Sequence, residues 1–466
     1  MPRLLDFFPS WKGDVKTFSL RLLVLMTLTL SVVMYLKAED STLAVRELTV
    51  PSKPGAQGSN LFAAADGTLH LTWSEPGSHE GERILCYSRL PPNSAQWSSP
   101  RVIVRTPYLM ENWADFASLV AADDGTLTAQ WFQRPEEATA KGYSGWFSRS
   151  HDAGATWQSP RPLGQEFVSL APLSGGRTLA VWLEHLPKPH SGARPPSTEP
   201  AMQLRSCVLD AAGVVQQRWT VDPDVCTCCQ TTLAVMPGDS VLVAYRGHTS
   251  SDVRDHHVAT FSNMTWSQPR LLHPDGWQIA GCPVNGPAAD AHGHTTAIAW
   301  FAAAEGVAKV QARFSRDGGA HFDAVSRIDL GNPMGRVDLA MQSDESALVT
   351  WLEAKSDTAL AGIYVRRIWP DGTASTAALL AEASQARASG FPRLALRIDG
   401  TAVLTFTHAG EPNRLRTLSF DPSALKPATA LSLTRQGETA RGPVELCGPA
   451  PALSASAEAT RVAHAH

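Results

Sequence analysis

From residue 44 to 427 the chain runs as short apolar segments separated by Gly- and Asp-bearing turns, with helical periodicity nearly absent. One unit recurs: a short apolar strand, an Asp or Gly turn, then a second strand ending in an aromatic. It reads Asn60-Leu-Phe-Ala-Ala-Ala-Asp66-Gly67-Thr-Leu-His-Leu-Thr-Trp73, and returns at 117–131, closing on Trp131. Further copies close on Trp182, Tyr245, Trp300, Trp351 and Phe406, at spacings of 58, 51, 63, 55, 51 and 55 residues. The pattern predicts strands that alternate apolar and polar positions, with Gly or Asp-Gly in the tight turns. Seven copies at this period predict an all-β fold, a β-propeller of seven four-stranded blades.

The second half of each unit repeats as well. Trp97-Ser-Ser-Pro-Arg101, Trp157-Gln-Ser-Pro-Arg161 and Trp266-Ser-Gln-Pro-Arg270 share one pattern. Each Trp is expected to open the outermost strand of a blade, where a free edge tolerates proline. The Ala-rich stretch 373–388 reads as a strand plus a loop, and residues 43–50 as a strand that closes the ring against the last blade.

The N-terminus has a different character. Arg3, Lys12, Lys16 and Arg21 precede the apolar run Leu22 to Leu36, and Lys37 follows it. Residues 1–39 are therefore expected to be a signal peptide or an N-terminal membrane anchor, 40–427 the propeller, and 428–466 a poorly ordered tail. The expected location is exported: periplasmic, or anchored in the inner membrane facing the periplasm. A formal net charge of −4 and the lack of a basic stripe interleaved with aromatics argue against a nucleic-acid partner. No phosphate loop, dinucleotide fingerprint or H-E-x-x-H is present.

Two stretches carry a family signature. Ser150-His-Asp152-Ala-Gly154-Ala-Thr-Trp157 and Ser315-Arg-Asp317-Gly-Gly319-Ala-His-Phe322 fit S-x-D-x-G-x-x-W/F. They resemble the Asp-box, or bacterial neuraminidase repeat, of the sialidase-like propeller superfamily. In such a turn Ser and Asp bond backbone groups, Gly takes the unusual backbone angle and the aromatic anchors the turn. Asn112-Trp113-Ala-Asp115-Phe116, Cys226-Thr-Cys-Cys-Gln230 and Gly281-Cys-Pro-Val-Asn-Gly-Pro287 are similar to segments of a bacterial exported group labelled sialidase-like. The resemblance implies a glycoside hydrolase of exo-α-sialidase type acting on acidic sugars. It also implies six blades, three arginines on the substrate carboxylate, and a Tyr-Glu nucleophile pair with an Asp acid/base. The chain departs from it by having seven units, and Arg46-Glu-Leu-Thr-Val-Pro51 where the family has Arg-Ile-Pro.

In a propeller the loops between the second and third strands, and those between blades, share one face. That face collects Glu111, Asp115 and Asp255 as candidate catalytic carboxyls. Arg246, Arg254, Arg336, Arg393 and Asn285 are candidate substrate-binding groups, because guanidinium offers a paired-donor fork to an anion. It also collects Cys226, Cys228, Cys229 and Cys282. Outside the cytoplasm a disulfide from Cys228 or Cys229 to Cys282 is one expectation. A soft metal, Cu or Zn, held with His248, His256 or His257 is a second, and a redox role a third. Cys86 and Cys207 are expected to be buried. The alternative to a hydrolase is a non-catalytic propeller binding a glycan, a metal ion or a protein partner, with the membrane touched only through the N-terminal segment.

Overall fold

The structure is a computed structural model that describes residues 43–137, 142–186, 202–356 and 358–428. The export segment, the Pro-rich insertion at 187–200, the tail beyond 428 and Cys447 lie outside the described residues.

Seven antiparallel sheets follow one another in chain order, each running from its first strand inward to its last strand outward. The innermost strands are Gln57–Ala63, Ser118–Ala121, Glu166–Pro172, Thr232–Met236, Ala288–His292, Pro333–Met341 and Arg393–Leu396. They define blades 1 to 7. In blade 4 the outer position is shared by Thr265–Trp266 and Arg270–Leu271, both paired with His256–Ser262. Blade 7 takes its outer strand from the start of the domain: Val45–Leu48 pairs with Arg414–Phe420, and Arg416 bonds Glu47 at 2.8 Å. This closure leaves no open edge between the two ends of the ring.

The second strand of each blade departs from the expected alternation. Leu69–Pro76 is buried at its first seven positions and Thr295–Ala302 at all eight. Each such strand is sandwiched between neighbouring blades, so both of its faces are interior. The polar residues there are compact, as with Thr72, Thr296 and Thr350. The closing tryptophans Trp73, Trp131, Trp182, Trp300 and Trp351 are fully buried. Outer strands can be only two residues long, as at Arg161–Pro162 and Ser326–Arg327. Trp97 and Trp157 precede their outer strands instead of opening them; Trp266 lies within one. The arginine of each W-x-x-P-R segment reaches the next third-to-fourth-strand turn. Arg101 donates to Ala153 O at 2.7 Å, Arg161 to Ala212 O at 3.1 Å and Arg270 to Ala320 O at 2.6 Å.

Two of these turns use identical chemistry. Ser150 Oγ accepts from Gly154 N at 2.8 Å and Asp152 accepts from Thr156 N at 2.9 Å. Ser315 Oγ accepts from Gly319 N and Asp317 from His321 N, both at 2.8 Å. Gly319 sits at φ 85°, and a Cβ there would come 2.3 Å from a Leu242 methyl. Trp157 packs edge-on against Tyr87, and Phe322 lies under Arg313. These turns lie on the face opposite the loops that carry the candidate site residues.

Candidate functional site

On that loop face the segments between blades are stitched into a circuit. Asp115 accepts from Phe167 N at 3.1 Å and from the Tyr143 hydroxyl at 2.9 Å. Ala114 O accepts from Gln230 Nε2 at 2.6 Å, and Gln230 Oε1 accepts from Gly286 N at 2.9 Å. The next residue back, Asn285, accepts from Arg336 N at 2.7 Å. Arg336 donates to Ala386 O at 3.1 Å and Gly390 O at 3.3 Å. Trp113 completes the circuit, stacked on Phe391 at 5.8 Å with the Arg336 guanidinium 4.9 Å from its ring centre. The contacts are tight: a Cβ on Gly286 would lie 2.2 Å from Gln230 O. Phe167 and Arg336 are held at φ 52° and 51°, a region that non-glycine residues enter only when surroundings over-determine it.

The structure gives the predicted arginines structural partners. Arg246 ends the strand Ser240–Arg246 and is 2% exposed. It donates to Asn285 O at 2.7 Å, Phe301 O at 2.8 Å and Arg254 O at 2.6 Å, and lies over Trp277 at 4.8 Å. Arg254 is fully buried and bonds Cys226 Sγ at 3.4 Å and Asp252 at 3.3 Å. Arg336 is bound to carbonyls as described. Arg393 pairs with Asp338 at 3.4 Å and lies over Phe116. The four therefore do not converge as an open anion clamp. Asn285 bridges Arg246 and Arg336, and Asp255 anchors a loop by accepting from Gly276 N at 2.8 Å and Trp277 N at 2.9 Å.

Several carboxylates on this face have a task the sequence reading missed. Trp73 Nε1 donates to Glu75 at 2.8 Å, Trp182 Nε1 to Glu184 at 2.9 Å and Trp351 Nε1 to Glu353 at 2.5 Å. Trp300 uses Asp275 at 2.7 Å and Tyr245 uses Asp222 at 2.6 Å. The signal was present as W-x-E at 73–75, 182–184 and 351–353. Blade 2 reads Trp131-Phe-Gln133, and among the described residues the buried Trp131 Nε1 has no acceptor.

Trp131 borders a cavity of about 140 Å³ between blades 7, 1 and 2, walled by Trp113, Phe116, Phe132 and Phe391. Glu111 and Asp115 both reach it. Glu111 is ion-paired with Arg83 and accepts from Ser74 Oγ. Asp115 is 3% exposed, and burial holds its carboxyl well above the usual range. Burial, then Asp115 and Glu166, push the Tyr143 hydroxyl up, so it serves as a hydrogen-bond donor. Two of the three predicted catalytic carboxyls thus share one cavity; Asp255 is not among its lining residues.

Asp115 also borders the central channel, about 900 Å³, walled by the innermost strands. Within it Asp290 accepts from Met341 N at 2.8 Å, and burial pushes its carboxyl up to about 6. The folded protein then keeps a proton that the unfolded chain releases above its ordinary value near 4. This stabilisation is complete below that value and is lost as pH rises through about 6. Asp290→Asn keeps an acceptor for Met341 N and should flatten that decline, on the order of 1–3 kcal/mol. Denaturation midpoints from about pH 4 to pH 7 check it; parallel wild-type and variant curves would contradict it.

The cysteines form a compact group. Cys226 Sγ lies 4.0 Å from Cys228 Sγ and 3.9 Å from Cys229 Sγ, with Cys282 packed alongside. No disulfide joins the described cysteines, Cys228, Cys229 and Cys282 among them. The adjacent sulfhydryls, and then Arg246 and Arg254, favour the Cys226 thiolate. The histidines proposed as co-ligands stand elsewhere. His248 bonds Asp224 at 2.9 Å, His257 stacks on Tyr245, and His256 is buried against Trp300 and held neutral by burial and by Arg246. Cys86 and Cys207 are buried as expected, with burial raising their thiols to about 12 and about 11.

No protein-family model and no curated protein matches the chain. Similar solved structures include a protein of unknown function from Dyadobacter fermentans, at 15% identity and TM-score 0.46, covering 81% of this chain and 99% of that one. The NanB sialidase of Streptococcus pneumoniae is similar at 10% identity and TM-score 0.42, covering 82% and 71%. An α-L-arabinanase of Penicillium chrysogenum, complexed with arabinobiose, is similar at 12% identity and TM-score 0.44, covering 83% and 99%. At such values these likenesses carry no functional argument.

Proposed function

We propose that this chain is a glycan-acting propeller of glycoside hydrolase type, with a sugar entering the cavity between blades 7, 1 and 2. The observation that carries the reading is that Asp115 and Glu111 border one aromatic-walled cavity in opposite environments. Burial favours the protonated form of Asp115, whereas Glu111 is paired with the Arg83 guanidinium. Two carboxyl groups on one sugar-sized cavity, one of them favoured as a proton donor, are what glycosidic cleavage needs. Asp115 would protonate the leaving oxygen as the C–O bond breaks, and Glu111 would take the proton of the incoming water. The Trp113 and Phe116 rings suit the C–H faces of a sugar.

The finer expectation, a sialylated or otherwise acidic sugar, calls for an open guanidinium fork. Arg246, Arg254 and Arg336 are buried against backbone, Cys226 and Asp252, and Arg393 faces Asp338. The reading supported here is therefore a neutral sugar. Export to the periplasm remains part of the proposal, resting on the N-terminal charge and hydropathy pattern. A panel of fluorogenic glycosides tests the reading: turnover of at least one neutral glycoside is expected, with the sialoside untouched. Turnover of the sialoside alone would overturn it.

A further inference from the structure

The thiol group of blades 4 and 5 is not used by the reaction above and shares no residue with its cavity. We propose that Cys226, Cys228 and Cys229, with Cys282 as a fourth donor, form a closed centre for one soft d¹⁰ cation, Cu(I) or Zn²⁺.

Geometry is the first argument. The Sγ atoms of Cys226, Cys228 and Cys229 all lie within 4.8 Å of one another, and the two separations from Cys226 are 4.0 and 3.9 Å. Four sulfurs at about 2.3 Å from a tetrahedral ion stand about 3.8 Å apart. The two separations from Cys226 need to change by only tenths of an ångström to match. Cys282 packs against the three, close enough to serve as a fourth donor once its side chain turns inward.

Charge is the second argument. Arg246 is 2% exposed, and among the described residues its hydrogen-bond partners are carbonyl oxygens, with no carboxylate paired to it. A buried cation without an anion is strongly unfavourable. Three or four thiolates around a monovalent or divalent ion carry net negative charge, and Arg254 already bonds Cys226 Sγ at 3.4 Å. The two arginines are then the counter-charge of the centre.

Rigidity is the third argument. Cys226 N donates to Arg246 O at 3.1 Å, which fixes the C-x-C-C loop to its strand. Gln230, one residue past Cys229, ties that loop to Gly286 in the segment bearing Cys282. Cys226, Cys228 and Cys229 are 2, 8 and 2% exposed, the closed surrounding of a holding site. Binding releases one proton per thiol that becomes a thiolate, and no electron changes hands.

The full chain, purified under reducing anaerobic conditions and supplied with either Cu(I) or Zn²⁺, tests this. One equivalent of one ion per chain should remain after desalting. Bound ion should slow alkylation of the cluster thiols at least tenfold, with the protection lost on adding a chelator. Competition with a Cu(I)-specific or a Zn²⁺-specific chromophoric chelator identifies the ion. Cys226→Ser should lose the ion and Cys207→Ala, in the core of blade 3, should keep it. Failure of wild type to retain either ion with its thiols free would overturn the proposal, whatever the variants do. A peptide map joining Cys228 or Cys229 to Cys282 would overturn it as well.

Discussion

Arg246→Ala should destabilise the protein by about 3–5 kcal/mol, measured by chemical denaturation, before any effect on ligand binding is read. The side chain makes four bonds to the carbonyls of Asn285, Phe301 and Arg254, and a contact with Trp277. Removing it leaves these buried acceptors without donors and opens a void beneath the loop that bears Asn285. Arg246→Lys should recover only part of the loss, because one ammonium cannot reach three carbonyls in the directions that a planar fork serves. Native stability in Arg246→Ala, with ligand binding alone abolished, would make Arg246 a substrate arginine and contradict the placement described above.

The second large effect concerns Asp115 and Glu111. Asp115→Asn retains an oxygen to accept from Tyr143 and Phe167, so the stitched loops should persist. It removes the proton donor. Turnover of a responsive glycoside should fall about 10²–10⁴-fold with little change in KM. Glu111→Gln keeps an acceptor for Arg83 and Ser74 and should show a loss of similar size. Wild-type activity should decline as pH rises through the raised Asp115 value, because the acid is then ionised. The residual activity of Asp115→Asn should lack that alkaline limb. By linkage the same variant should be relatively more stable than wild type at high pH, where wild type must hold a buried charge. Wild-type turnover in Asp115→Asn would exclude it as the acid.

The ring of seven blades was legible because each blade repeats one apolar and turn pattern, and a repeat declares itself without any long-range contact being known. The closing strand near residues 43–50 was legible for the same reason, since a propeller requires a partner for its last blade. Side-chain commitments were not. Arg246 and Arg336 read as ligand groups because guanidinium on a loop face suggests anion binding. Whether the donors are free depends on carbonyls of Asn285, Phe301 and Gly390, which lie 39, 55 and 54 residues away in sequence. Glu75, Glu184 and Glu353 lie on the same loop face as Glu111, Asp115 and Asp255, and residue type alone does not separate them. The W-x-E spacing would have assigned three of them to indole N–H groups, and would have left Trp131 as the exception. The cysteine cluster was visible as spacing, but that its three sulfurs stand together beside two buried arginines needed the three-dimensional arrangement.

A structure of Glu111→Gln soaked with the best neutral oligosaccharide from the glycoside panel tests the central claim most directly. The account predicts a sugar ring in the cavity beside Trp113, with the glycosidic oxygen within hydrogen-bond reach of Asp115. A sugar bound elsewhere on the ring, with this cavity unfilled, would contradict it.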